Sequence, residues 1–357
     1  MPNDQRVIEH RVRESWRARA CTAGLCVGAQ VFLFGTGVAM PIALSSAWIA
    51  ALPALPMTAL VTVLCCRRIR QGSRMSRPAC LLLALTLLLN AVFALSALAG
   101  FAEQTLLEHT TVLWSTAATV LAVCLCALSG GDGVSRLCFA LRWTLPVLAA
   151  VLVLASMPME VPVGFFPVLG PGALPLGVAA LCMLGSASPA LMLLLPPPDI
   201  VQHGAAAVQC PAPKAGFFVR RVLIGAGAGA LFLLAACVCT TYESIRESVV
   251  WGARLRIAAS DQPHEGIPQT LLVLLQMTAV FLLASSMVCA AEQAIGAVYP
   301  KAKRMRVGLA ALGLLLFLVL LLLIARGFEW ALFLAPLLAV PALLVPVMRG
   351  KREAAKK

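Results

Sequence analysis

The sequence predicts an all-α integral membrane protein of ten transmembrane helices in two five-helix halves, with the first and sixth helices broken. Three observations carry this. Of 357 residues, 61% are hydrophobic and only 12% charged, more apolar surface than a soluble chain of this length can bury. The apolar residues fall in runs of bilayer length separated by short basic stretches. Two runs are interrupted at mid-depth, at Gly35-Thr36-Gly37 with Pro41 and at Gly185-Ser186-Ala187-Ser188-Pro189. Irregular backbone inside a bilayer is tolerated only where it lines a cavity or is buried in protein.

Residues 1–20 form a basic segment with Arg6, Arg11, Arg13, Arg17 and Arg19. Ile8, Val12 and Trp16 recur every four residues, so this is either a short helix lying on the inner membrane face or a solvated tail. A cleaved signal peptide is disfavoured, because the apolar run that follows is too long and further membrane spans come after it. The transmembrane region, 21–348, divides into ten segments at about 21–44, 46–66, 78–100, 111–129, 137–156, 172–195, 217–241, 268–297, 305–325 and 328–348. A basic tail, 349–357, closes the chain.

The loops orient these segments. Alternate connections and both ends hold 24 of the 28 Lys and Arg residues, the others only Arg246, Arg254, Arg256 and Arg326. Both termini are therefore expected in the cytoplasm. Five helices per half make the second half, about 172–348, enter from the side opposite to the first, about 21–156. That is the arithmetic of the LeuT-like inverted repeat, in which paired helix breaks mark the substrate site.

Two external connections stand out. The proline-rich segment 157–172 carries no basic residue. Within Tyr242–Ile267, Ile245, Val249 and Ala253 share a face beside Arg246, Glu247, Arg254 and Arg256. This reads as an amphipathic helix, either a lid over the external mouth or one resting on headgroups.

Composition excludes several functions. The net charge of +13 sits in loops between spans, which denotes topology rather than nucleic-acid binding. The 13 cysteines lie mostly inside apolar runs, as at Cys65-Cys66, and read as small buried hydrophobes. His10, His109, His203 and His264 show no metal spacing, and no cofactor is expected. Gly225-Ala226-Gly227-Ala228-Gly229 lies within a membrane run, where small residues four apart serve helix packing rather than phosphate binding. No nucleophile elbow, zinc-protease motif or phosphate loop occurs, so an enzyme is not expected.

Polar residues inside the spans are more informative: Gln30, Thr36, Asn90, Ser186, Ser188, Gln276, Thr278, Ser285, Ser286 and Glu292. Asn90 reads as a hydrogen-bonding link between helices. Glu292 is either near the cytoplasmic end of its helix or, if deep, functional. The expected ligand site comprises Gly35, Thr36, Gly37, Ser186 and Ser188. Glycines free the backbone there, and Pro41 removes the hydrogen bond to the Gly37 carbonyl. The first helix is expected to start afresh near Gly37 and present unpaired N–H groups to an anionic or polar group. Ser186 and Ser188 would face it with hydroxyls and freed carbonyls. No acid lies at this level, so neutral or acid-only ligands should be tolerated.

Several segments in order resemble one family. Phe34-Gly35-Thr36-Gly37 through Pro41, then Ala47-Trp48-Ile49, is similar to the first helix and turn of spore germination B proteins. These are the permease-like subunits of GerA-type germinant receptors, within the amino acid–polyamine–organocation superfamily. Leu106-Leu107-Glu108-His109-Thr110 resembles that family's external turn before helix four. Gly130-Gly131 with Val134-Ser135-Arg136-Leu137 resembles its internal turn before helix five. Phe166-Pro167-Val168-Leu169-Gly170-Pro171-Gly172 is similar to its entry into helix six, and Leu193-Leu194-Leu195-Pro196 to its exit. The chain departs from the family near Ala190, where relatives often carry a glutamate, and at Gly266-Ile267-Pro268-Gln269, where their approach to helix eight is charged.

The resemblance implies a multi-pass subunit of the bacterial inner membrane, of spore or cell, that binds a small amino-acid-like germinant. Its partners would be a larger A-type membrane subunit and a C-type lipoprotein. Fold physics alone gives a second reading, a secondary amino acid transporter coupled to H⁺ or Na⁺. A structural membrane scaffold is the third.

Overall fold

Residues Pro2–Phe34 form one uninterrupted helix, α1, of 33 residues. Its only proline stands at the first turn, where a missing N–H costs nothing. Val12 and Trp16 are buried, and the Trp16 ring meets Phe218 edge-on at 5.6 Å. Arg11, Arg13 and Arg17 are exposed on the other face. The basic segment is thus neither a separate surface helix nor a solvated tail. It is the first turns of α1, with Val12 and Trp16 packed on the protein.

The computed structural model describes residues 2–71, 75–105, 112–128, 131–143, 147, 172–196, 214–239, 267–298 and 334–348. Beyond a wide turn at Gly35–Ala39, Met40–Ala43 is α2 and Ala47–Ala51 is α3. Next come α4 (Ala54–Arg70), α5 (Arg77–Thr105), α6 (Val112–Leu128) and α7 (Gly131–Leu141). Helix α8 (Ala173–Leu184) runs into a tightened stretch, Gly185–Leu194. The remainder are α9 (Ala215–Cys239), α10 (Ile267–Val298) and α11 (Ala339–Val347). Three arginines in the last turn of α4, Arg67, Arg68 and Arg70, suit both the helix dipole and a basic membrane face.

Among the described residues, six helical stretches are long and apolar enough to cross a bilayer: His10–Ala43, Ala47–Arg70, Arg77–Leu95, Ala173–Leu194, Ala215–Leu234 and Thr278–Val298. They coincide with the first, second, third, sixth, seventh and eighth expected segments. Helix α6 covers the fourth, α7 overlaps the start of the fifth, and Leu334–Val347 lies in the tenth. The ninth segment, most of 157–172 and of Tyr242–Ile267, and the 349–357 tail lie outside the described residues.

Polarity runs inside out relative to a soluble protein. Leu81, Leu85, Leu121, Leu125, Leu181 and Leu231 are exposed, while Gln30, Thr36, Thr62, Asn90, Ser186 and Ser188 are buried. Lipid stabilises the first set, and only protein can satisfy the second. The two interrupted stretches sit centrally, with α1, α4 and α11 packed against Gly185–Leu194 and α5 packed along α10.

A close seam joins α1 to α9. A Cβ on Gly24 would lie 2.7 Å from the Arg221 carbonyl oxygen, one on Gly28 would strike the Gly225 carbonyl, and one on Gly229 would strike that of Gly28. Backbones this close are the structural use of small residues four apart. The Gly225–Gly229 ridge is therefore filled by α1 of the same chain.

Candidate functional site

The first span widens rather than breaks. At Gly35–Ala39 the hydrogen bonds lengthen to five residues, and the Met40 N–H donates to the Gly35 carbonyl. Pro41 explains the position: it has no N–H for the Gly37 carbonyl, and an extra residue per turn absorbs the lost bond. Phe34, Ala39 and Met40 all keep right-handed helical backbone, and all five residues of the wide turn are buried. The expected fresh helix start near Gly37, with its free N–H groups, does not form. The ladder is re-registered and continues. Single wide turns of this kind recur at functional sites.

The sixth span tightens instead. From Gly185 to Leu194 the backbone follows a three-residue turn for ten residues, all buried. Such runs rarely exceed three or four residues, and Pro189 inside this one prevents a normal ladder. Serine hydroxyls repair it. Ser186 donates to the Met183 carbonyl at 2.6 Å and Ser188 to the Gly185 carbonyl at 2.7 Å. Ser188 also lies 3.0 Å from the Asn90 side-chain oxygen, while the Asn90 amide donates to the Thr86 carbonyl at 2.8 Å. Asn90 is the expected link between helices, joining α5 to the tightened stretch. The serine hydroxyls, expected to face the ligand, already bond within the chain. Their protons are committed within the chain, as is that of Thr36, which donates to the Phe32 carbonyl at 2.9 Å. What each leaves for a ligand is an acceptor oxygen.

Beside the two stretches an aromatic pair joins α1 to α5. The Phe34 and Phe93 rings stand edge-to-face at 4.6 Å. A Cβ on Gly185 would sit 3.1 Å from the Phe34 ring and strike the Ala335 carbonyl, so only glycine lets α1, the tightened stretch and the segment leading into α11 converge. Gly35 faces elsewhere: its missing Cβ makes room for Leu233 of α9. Of the five expected site residues, Ser188 thus reaches another span, Thr36 and Ser186 bond their own backbone, and Gly35 serves packing. Gly37 is buried within the wide turn.

The structure adds Gln30. It is wholly buried, and neither its amide nitrogen nor its carbonyl oxygen has a hydrogen-bond partner. Gln30 precedes Phe34 by four residues and Asn90 precedes Phe93 by three, so each shares a helix face with its phenylalanine. One span, α4, separates α1 from α5, so those two run the same way. Gln30 and Asn90 accordingly lie one turn behind the aromatic pair, on the faces that meet. The signal in the sequence was a carboxamide in mid-span.

Below this level Arg19, buried on the same face of α1, closes the structure. Its guanidinium donates to the Gln293 side-chain oxygen at 2.6 Å and reaches the Pro196 carbonyl at 3.5 Å. Three elements are tied there: α1, α10 and the exit of the tightened stretch. Glu292 is half-buried beside Gln293 toward the end of α10. Among the described residues, Arg19 and Arg68 are the buried charged side chains, and no group of three or more His, Cys, Asp or Glu could hold a metal ion.

The geometry defines a multi-span helical membrane protein with two irregular central stretches and a buried polar cluster. Solved structures share its fold. The chain is similar to Mhp1, a nucleobase-cation-symport-1 family transporter seen closed with bromovinylhydantoin bound, at 15% identity and TM-score 0.57, covering 92% of this chain and 76% of that one. It is also similar to the Eremococcus coleocola manganese transporter in complex with an aromatic bis-isothiourea compound, at 14% identity and TM-score 0.50, covering 94% and 76%. No family model matches the chain, and no curated protein does. The chain has the fold of these membrane transporters.

Proposed function

We propose that the protein is a secondary transporter that carries a small solute by alternating access, coupled to H⁺ or Na⁺. The observation that carries this reading is the close approach of Gly185 in the sixth span to Phe34 in the first, with Ser188 of the sixth span tied to Asn90 on α5, in a fold shared with transporters. Irregular backbone at the centre of a bilayer has its use in forming a site that can open to either side. The ligand lies among Thr36, Gly37, Ser186 and Ser188, which offer carbonyls and acceptor oxygens rather than free N–H groups, while Gly35 holds the wide turn against α9. Proteoliposomes test it. Uptake of a labelled solute driven by an imposed proton or sodium gradient, and abolished when the gradient is collapsed, is the expected result. Binding without gradient-driven accumulation contradicts it.

The second reading is a germinant-receptor B subunit of the spore or cell inner membrane, with A-type and C-type subunits as partners. The ordered motifs from Phe34-Gly35-Thr36-Gly37 to Leu195-Pro196 favour it. It requires that the isolated chain be silent and respond to germinant only with its partner subunits. Reading frames for those subunits beside the gene support it, and accumulation of solute by the isolated chain counts against it.

A further inference from the structure

Gln30 is a buried side chain with an unused donor and an unused acceptor together. Among the described residues the other buried side-chain atoms without a partner include the hydroxyls of Ser46, Thr58 and Ser285. A hydroxyl has one proton, which rotates to suit its surroundings. A carboxamide is planar and holds two N–H donors and a carbonyl in fixed relation. Left empty at zero exposure it is destabilising, so its presence needs a cause outside the empty fold.

Its neighbours narrow the cause. Phe34 and Phe93 lie one turn ahead of Gln30 and Asn90, an edge-to-face apolar pair beside a polar edge. Asn90 has its oxygen on Ser188 and its nitrogen on Thr86, so its groups are already engaged. Arg19, eleven residues before Gln30, is held by Gln293 and Pro196, and Arg68 stands in the last turn of α4. Among the described residues no Asp, Glu, Lys or His is buried. A carboxylate or ammonium brought to this level would lose its hydration with no uncommitted opposite charge among the described residues to receive it. A neutral molecule would not.

We propose that Gln30 is the ligand-recognising side chain, and that the ligand is a neutral molecule presenting an N–H donor beside a carbonyl acceptor: the edge of a lactam, cyclic imide or ureide. Two antiparallel hydrogen bonds, Gln30 Nε2–H to the ligand carbonyl and ligand N–H to Gln30 Oε1, satisfy both sides in one plane. The ligand's flat face then lies against one ring of the edge-to-face pair. This assignment rests on the ligand site proposed above and names the chemistry it takes.

The test uses the full chain in lipid nanodiscs, with thermal unfolding followed as probes are added. Hydantoin and uracil present the required edge; 1,3-dimethylhydantoin has the same ring without an N–H, and L-alanine is the zwitterionic comparison. Hydantoin or uracil should raise the unfolding midpoint of the wild type saturably, and the dimethyl compound and alanine should not. Gln30→Leu should unfold at or above the wild-type midpoint without ligand, yet bind the lactam probe about tenfold more weakly or worse, as loss of a paired polar contact implies. Gln30→Met serves if the leucine variant does not fold. Equal stabilisation of wild type and variant overturns the assignment, and so does a wild type that neither lactam stabilises. Binding with these properties but no gradient-driven uptake leaves the assignment standing and overturns transport. Gradient-driven uptake of a charged solute that is indifferent to Gln30→Leu does the reverse.

Discussion

Ser188 on the tightened sixth span shares its one hydroxyl proton between the Gly185 carbonyl at 2.7 Å and the Asn90 side-chain oxygen on α5 at 3.0 Å, 98 residues away in sequence, with both side chains wholly buried. This bond fixes the irregular stretch to a regular helix. Ser188→Ala should leave the Asn90 oxygen without that donor and cost about 1–3 kcal/mol of stability. Asn90→Leu should cost a similar amount, and the double variant less than the sum, a coupling of about 0.5–3 kcal/mol in a double-mutant cycle. Strict additivity in unfolding measurements would show that the two groups do not act together.

The α1–α9 seam makes a sharper prediction because it contains its own control. Gly28→Ala and Gly225→Ala each push a methyl into a facing backbone, which cannot yield without separating the helices. Each should cost about 3 kcal/mol, the upper part of the usual single-substitution range. Gly227 has open space where its Cβ would go. Gly227→Ala should be neutral or stabilising by up to about 1 kcal/mol through helix propensity. Comparable losses at all three positions in thermal unfolding would contradict the seam.

At Gly35 the neighbour is a side chain, so the substitution should be rescuable. A Cβ there would come 2.6 Å from Leu233 Cδ1 and 2.9 Å from its Cγ. Gly35→Ala should cost about 1–3 kcal/mol by overpacking, and Leu233→Ala in the same chain should recover part of it. Failure of the second change to help would mean that the glycine is needed for its backbone freedom in the wide turn.

Much of the fold was legible because membrane insertion is governed by quantities written along the chain. Run length and loop charge located the spans that the structure describes, and glycine with proline marked both irregular stretches. The form of those stretches was not legible. Pro41 forbids one hydrogen bond, but whether the helix then breaks or widens depends on Met40 finding the Gly35 carbonyl. Ser186 and Ser188 looked available because sequence does not show that Met183, Gly185 and Asn90 accept from them. Gln30 was visible as a mid-span amide, but its lack of a partner is a fact of packing alone.

Topology follows from charge and is tested separately. With 24 of 28 basic residues on one side, both termini should be cytoplasmic. In a cysteine-depleted chain, a cysteine placed within 67–77 should resist an impermeant external reagent in intact cells and react once the membrane is opened. Labelling from outside would reverse the assignment.

The central claim is that the two irregular stretches form a site open alternately to each side, rather than kinks in a static bundle. A single cysteine at position 188, in a cysteine-depleted chain reconstituted in one orientation, tests it most directly. Its labelling by an impermeant thiol reagent is measured from each side, with and without the coupling-ion gradient. Alternating access predicts reaction from one side in one ion condition, from the other side when the gradient is reversed, and protection in both by bound solute. A cysteine at 188 that reacts from neither side under any ion condition, in a protein that still folds, would contradict the account.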